Sequence, residues 1–372
     1  MAESLQEVLP PDYASGTFIG RALSPAGPCV IALRHGRIFD LTEDVATVAG
    51  AIDRKHFSGG RELGAVEHGL PINWSLLSPV DLQCVKACGV TFAVSAIERV
   101  IEERARGDAM RAAEIRAGLE AKVGAGIRAV VPGSAEATEL KQVLIDEGMW
   151  SQYLEVAIGP DAEIFTKSPV LSTVGWGAEI GVRSDSSWNN PEPEIAVLAD
   201  SHGQPVGATL GNDVNLRDFE GRSALLLGKA KDNNASCSLG PFIRLFDASF
   251  TLDDVRSAEV DLLIEGEDGY VLKGHSSMRE ISRDPVDLVA QAMSEHHYPD
   301  GYILFLGTLF APTQDRDEPG RGFTHKVGDV VSISTPKLGK LVNRVTHSKS
   351  AAPWTFGISG LMRNLAERGL LR

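Results

Sequence analysis

The run Ile195-Ala-Val-Leu-Ala199 is apolar at every position, so a strand built from it must be covered on both faces. The chain enters it through Glu192-Pro193-Glu194, where Pro193 confines Glu192 to extended backbone. Side chains alternate along such a run, which points both glutamates to one face and Pro193 to the other. Two carboxylates at the mouth of a buried strand repel each other unless a cation sits between them. Asp213 follows 19 residues after Glu194, in Leu210-Gly-Asn-Asp213-Val214, and Lys231 follows a further 18. Three carboxylates on neighbouring extended segments, with an amine nearby, describe a site for a hard cation with open coordination positions.

The rest of the chain divides by pattern. Up to about residue 75, short strand-like runs such as Thr17-Phe-Ile-Gly20 and Cys29-Val-Ile-Ala-Leu33 are broken by glycines and prolines, which predicts a small β-rich N-terminal domain over 1–75. Residues 76–150 read as a linker and helical lid segment: Ile97, Val100 and Ile101 share one helical face, and Leu140, Val143 and Leu144 another after the turn Pro132-Gly133-Ser134. From 151 to 372 short strands and turns dominate, with a hairpin expected from Val260–Ile264 to Tyr270–Leu272. The tail returns to helix, with Ile358, Leu361, Met362 and Leu365 on one stripe.

The order Gly159-Pro160, Phe165-Thr-Lys-Ser-Pro169, Pro191-Glu-Pro-Glu194, Leu210-Gly-Asn-Asp213 with Arg217-Asp218, Lys231, Leu239-Gly-Pro241 and Gly307-Thr308 resembles the fumarylacetoacetate hydrolase family across roughly the C-terminal two-thirds. The resemblance implies an α+β, mainly β fold: a mixed β-sandwich roll with a smaller β-rich N-terminal domain and a helical lid. It implies Glu192, Glu194 and Asp213 as ligands of one divalent ion, usually magnesium with manganese as the substitute. It also implies that Lys231 and Thr308 meet a small-molecule 2-oxo acid.

One departure narrows the chemistry. Where many family hydrolases carry a His and a Glu that activate water, this chain has Ser95 and Glu98 in Gly89-Val-Thr-Phe92-Ala-Val-Ser95-Ala-Ile-Glu98. A serine is no base near neutral pH without help, whereas imidazole is. Together with Ser186–Asn190, Lys231–Ser236 and Phe310–Arg316, this segment looks like the sugar-acid dehydratases of the family. The resemblance therefore implies magnesium-dependent dehydration of a 2-keto-3-deoxy-pentonate to 2,5-dioxopentanoate through an enolate. The alternatives are an acylpyruvate hydrolase or oxaloacetate decarboxylase and, furthest away, a sugar-acid-binding module without turnover. Lys231 and Glu98 are expected to share the two proton transfers, with the lysine's pKa lowered by the ion and that of Glu98 raised by enclosure. Phe92, Ser95, Ser187, Asn189 and Arg217 join Thr308 as expected substrate contacts.

A formal net charge of −14 argues against a nucleic-acid partner. No stretch reaches the roughly 18 apolar residues of a membrane span, and the start at Met1-Ala-Glu-Ser lacks a basic-then-apolar leader, so a cytoplasmic enzyme is expected. The family precedent adds a homodimer or homotetramer.

Overall fold

A computed structural model describes residues 4–310, 312 and 314–371, with the side chains of 117–125 outside the description. In chain order the strands are β1 (Thr17–Ser24), β2 (Gly27–Arg34), β3 (Arg37–Asp40), β4 (Arg61–Ala65), β5 (Ser75–Leu76) and β6 (Cys84–Gly89). After a helical stretch come β7 (Glu163–Ser168), β8 (Glu179–Val182), β9 (Asn189–Asn190), β10 (Pro193–Ala199), β11 (Pro205–Asp213) and β12 (Asn215–Leu216). The remainder are β13 (Cys237–Leu245), β14 (Glu259–Glu265), β15 (Val271–Ser277), β16 (Tyr302–Phe305), β17 (Val330–Thr335) and β18 (Gly339–His347).

An eleven-stranded sheet runs β4-β3-β2-β1-β13-β11-β10-β16-β6-β7, with β5 beside β1; a five-stranded sheet runs β15-β14-β17-β18-β8; and β9 pairs with β12. Pairing is antiparallel except at β16–β6 and β18–β8. This is the mixed, mainly β architecture expected from the sequence, including the β14–β15 hairpin.

Strand β10 is buried along its whole length, as its unbroken apolar run requires. Ile195 and Val197 pack between the two sheets with Leu262, Ile264, Val331 and Leu341. On the opposite face Ala196 and Leu198 join Ile19, Val85, Ile243 and Phe305, covered by Val48 and Ile52 of the helix Val48–Asp53. Alternation places Glu194 on this second face, so the glutamate pair closes the end of an apolar layer rather than facing open water.

We retain the division into residues 1–75, 76–150 and 151–372 as a proposal about chain segments. The large sheet crosses both boundaries, β1 pairing with β13 and β6 with β16.

The helical stretch is inserted between the adjacent antiparallel strands β6 and β7, where Gly89 stands opposite Glu163. It comprises Ala93–Ala105, Ala109–Ala129, Ala135–Asp146 and Gln152–Ile158. The first of these, the lid helix below, ends at Arg106 in a left-handed conformation, and Asp108 then caps the second by accepting from the Met110 and Arg111 amides. Ile97, Val100, Ile101 and Leu144 fill a core of their own with Leu154 and Trp188. Val143, expected on the same face as Leu144, is exposed.

The tail helix Ile358–Glu367 also differs from the expected stripe: Leu361 and Leu365 are buried, while Ile358 and Met362 are about half exposed. The helix is fastened to the β1–β2 turn, Asn364 donating to the Ala26 carbonyl and Arg368 to that of Pro28, and only a narrow strip meets the body. Among the described residues no helix is long and apolar enough to cross a membrane.

Candidate metal centre

Glu192, Glu194 and Asp213 are all buried, and one carboxylate oxygen from each lies within 4.8 Å of the others. The sheet register brings them together, since Pro193 pairs with Asn212 and Glu194 with Gly211. The Glu192 amide donates to Asn212 Oδ1 at 3.1 Å, and the Asp213 amide donates to the Glu192 carbonyl at 3.0 Å. Glu194 is fixed from the other side: the Gly307 amide donates to its Oε2 at 2.7 Å. Gly307 has φ of +95°, and a Cβ there would lie 2.0 Å from Thr91 Oγ1, so only glycine delivers that amide.

Lys231, at the end of the short helix Leu227–Lys231, donates to Glu192 Oε2 and, at 3.1 Å, to Asp213 Oδ2. Lys167, fully buried near the end of β7, pairs with Asp213 Oδ1 at 2.7 Å. Its ammonium also donates to the Val214 carbonyl at 3.1 Å and the Lys231 carbonyl at 2.5 Å, tying ligand and neighbouring lysine to one point.

From the lid helix, Arg99 reaches Glu192 Oε1 at 2.7 Å, Glu102 at 2.7 Å and Glu220 at 3.3 Å. The donor set is all-oxygen and acidic, and among the described residues no side-chain cation pairs with Glu194. That combination fits a hard divalent ion.

Two small cavities, each of about 20 Å³ and so with room for roughly one water, lie over the triad. The first is bounded by Glu163, Glu192, Glu194, Lys231 and Thr308, and the second by Glu98, Glu102, Arg217 and Phe310. Thr308 lines both and donates to the Pro193 carbonyl at 3.0 Å. Of the expected site, then, Glu192, Glu194, Asp213, Lys231, Thr308 and Ser95 converge, with Glu98 and Arg217 on the second cavity.

Several expected residues have other employment. The Ser95 hydroxyl donates to the Phe92 carbonyl at 2.8 Å and accepts from the Phe92 amide at 3.3 Å, closing the N-terminus of the lid helix. Phe92 itself is core. Ser187 is exposed and bound to Asp218 in a turn. The Asn189 side chain accepts from the His325 amide and donates to Ser186, away from the triad. Arg217 lies 4.3 Å over the Trp188 ring and pairs with Glu98 at 2.9 Å and Glu102 at 2.6 Å. Within Phe310–Arg316, Ala311 and Thr313 lie outside the described residues.

The rise expected in the Glu98 pKa is reversed. Burial works to raise the Glu98 pKa, but Arg116 and Arg217 grip the carboxylate and hold it below its ordinary value. For Lys231 burial works against the ammonium, but Asp213, Glu192 and Glu220 outweigh it and push the pKa up.

A carboxyl with the opposite behaviour is Glu163, for which the sequence carries no motif. Burial raises its pKa, and it reaches the cavity because Gly89, its partner across the β6–β7 rung, has no side chain: a Cβ there would lie 2.0 Å from Glu163 Oε2. Glu220 is pushed by burial, against the opposing pull of Arg99 and Lys231, up to about 7.

These shifts predict how the ion-free protein responds to pH. A carboxyl whose folded pKa is raised contributes stability that is complete below its ordinary value of 4.5 and lost as pH rises through the folded value. Asp213 and Glu98, with lowered values, exert their effect only in more acidic solution. Chelator-treated protein is therefore expected to lose melting temperature between about pH 4.5 and 7, and a divalent ion to restore more of it at the higher pH. An ion-induced rise equal at both pH values would contradict this.

The sequence pattern of the fumarylacetoacetate (FAA) hydrolase C-terminal family matches residues 147–346. That is more than half of the chain, and the protein belongs to this family. The curated relatives include a 2-dehydro-3-deoxy-D-arabinonate dehydratase of Saccharolobus solfataricus, 33% identical over 186 residues that cover 49% of this chain and 58% of the relative. Another, from Haloferax volcanii, is named "Probable 2-keto-3-deoxyxylonate dehydratase"; it is 31% identical over 201 residues, 54% of this chain and 66% of its own. The matched stretches thus span less than two thirds of either relative. Among solved structures, 2-keto-3-deoxy-D-arabinonate dehydratase complexed with magnesium and 2,5-dioxopentanoate superposes with a TM-score of 0.63 at 23% identity, covering 89% of this chain and 99% of that one. Its apo form gives 0.64 at 22%, with the same coverage.

Proposed function

We propose that this protein is a magnesium-dependent hydro-lyase that converts a 2-keto-3-deoxy-pentonate to 2,5-dioxopentanoate. The observation that carries the reading is the cavity itself: a buried Glu192–Glu194–Asp213 triad facing Lys231 and Glu163, with no histidine among the residues lining it. The two curated relatives named as dehydratases of this substrate class support it, as does the fold shared with the magnesium complex. Bound by the triad, the ion supplies a Lewis acid that polarises a 2-oxo acid.

This chain's own groups do the remaining work. Dehydration needs the C3 proton removed and a proton delivered to the departing C4 hydroxyl, which leaves as water; tautomerisation through C5 then gives the aldehyde. The two transfers fall to Lys231 and Glu163, which line the same cavity: the Lys231 ammonium, kept charged by its carboxylate neighbours, gives the proton to the leaving hydroxyl. Glu163 takes the C3 proton as a carboxylate, made more basic because burial raises its pKa. Glu98 does not take this part: held by two guanidiniums, it secures the lid helix instead. Thr308 and the lid bound the substrate and keep bulk water out. With Ser95 committed to its helix cap, nothing in the cavity matches the water-activating histidine of the hydrolases.

The test is incubation of magnesium-loaded protein with the D and L forms of 2-keto-3-deoxy-pentonate, which differ only at C4, following 2,5-dioxopentanoate against an EDTA control. EDTA-sensitive appearance of the aldehyde is expected. Pyruvate released from oxaloacetate or an acylpyruvate, without turnover of either sugar acid, would move the protein to the carbon–carbon-cleaving branch of the family.

A further inference from the structure

The two cavities beside Glu192 share four lining residues. Ser95, Arg99, Glu192 and Thr308 line both. Of the four, Arg99 is the one cation: its guanidinium spans Glu192 at 2.7 Å, Glu220 at 3.3 Å and Glu102 at 2.7 Å while its side chain remains only 13% exposed. A five-carbon sugar acid is far larger than the one water that each remaining void of about 20 Å³ admits. Glu192 is also fully engaged, since Arg99 holds one of its oxygens and Lys231 the other. Of these two cations Lys231 belongs to the floor of the site and Arg99 to the lid.

The lid helix is built for this reach. Side chains on a helix lean toward its N-terminus, so Arg99 lies over position 95, one turn earlier. Ser95 is small and folded back onto the Phe92 carbonyl, which leaves the passage open. A larger ring at 95 would fill it, so Ser95 and Arg99 work as a pair.

Resting on the metal-site reading above, we propose that Arg99 is a positioning and specificity-setting residue whose guanidinium occupies the ligand seat in the ion-free protein. It competes with the divalent ion for Glu192 and with the sugar acid for the cavity. When both bind it gives up Glu192, the two voids merge, and the displaced guanidinium supplies a positive charge beside an anionic substrate. Metal affinity is therefore discounted by the fraction of time the seat is taken, and removing the occupant removes the discount.

The experiment is Mn²⁺ titration by electron paramagnetic resonance of wild type, Arg99→Met, Arg116→Met and Glu194→Gln, without substrate. Arg116→Met deletes a lid charge of the same sign that pairs with Glu98 rather than Glu192, and so corrects for general electrostatics. Arg99→Met is expected to bind Mn²⁺ about 5- to 10-fold tighter than wild type, Arg116→Met within about twofold, and Glu194→Gln not at all. A residue that merely orients Glu192 would give weaker binding on removal. Equal or weaker binding by Arg99→Met, with wild type binding and Glu194→Gln silent, would overturn this proposal alone. A wild type that binds no Mn²⁺ would overturn the metal reading and this proposal with it. If Arg99→Met does not fold, as judged by circular dichroism, Arg99→Lys replaces it; a single ammonium cannot span the same three carboxylates, and a smaller gain in affinity is expected.

Discussion

Glu194→Gln is expected to give a folded protein without dehydratase activity, kcat/KM falling by about three orders of magnitude or more as the ion loses a ligand. Glutamine keeps an acceptor for the Gly307 amide, so the loop after β16 should hold its place. What disappears is a buried charge that burial, Asp213 and Glu192 already disfavour, pushing the Glu194 pKa well above the ordinary range. The ion-free variant should therefore melt a few degrees above ion-free wild type, while losing the stabilisation that magnesium confers on wild type. Thermal melts with EDTA and with magnesium, beside steady-state rates, read both effects. A variant that still gained melting temperature from magnesium would remove Glu194 from the ligand set.

The second large effect separates two glutamates. Glu163→Gln is expected to lower kcat by about 10²- to 10⁴-fold, the range for loss of a positioned proton carrier, while the magnesium-induced rise in melting temperature survives. Glu98→Gln should lower kcat less than about tenfold and act mainly through stability, because it loosens Arg116 of the lid segment and Arg217 after β12. Rates at saturating magnesium decide between them. The reverse ranking would return Glu98 to the reaction and leave Glu163 as a buried carboxyl of the sheet.

What could be seen beforehand was local in sequence or carried by spacing. Pro193 and the apolar run after it forced Glu192 and Glu194 to the mouth of a buried strand, and Asp213 followed from the neighbouring strand. The hairpin after Val260 was visible because turn and alternation lie within a few residues. Glu163 escaped because its access depends on a missing side chain at Gly89, which is far away along the chain and adjacent only through strand pairing. Lys167 stands within Phe165-Thr-Lys-Ser-Pro169, yet its tie to Asp213 and to the Lys231 carbonyl is a three-dimensional fact. Glu98 was given the wrong pKa direction because nothing in the chain order shows two arginines, one from the second lid-segment helix and one from after β12, closing on the same carboxylate. Helical period located the tail helix, but which of its stripes would be buried was set by the turn it docks against.

The β6–β7 rung has a consequence for descent. Both ends of the lid leave the large sheet at one place, Gly89 facing Glu163, so the whole helical stretch is a side branch on an otherwise continuous hairpin. Its length and sequence can drift without shifting the register of any strand, while the carboxylate floor on β10 and β11 stays untouched. Selection can then exchange one reaction for another by rewriting the branch alone, and two relatives with the same floor can part company in chemistry long before they part in shape.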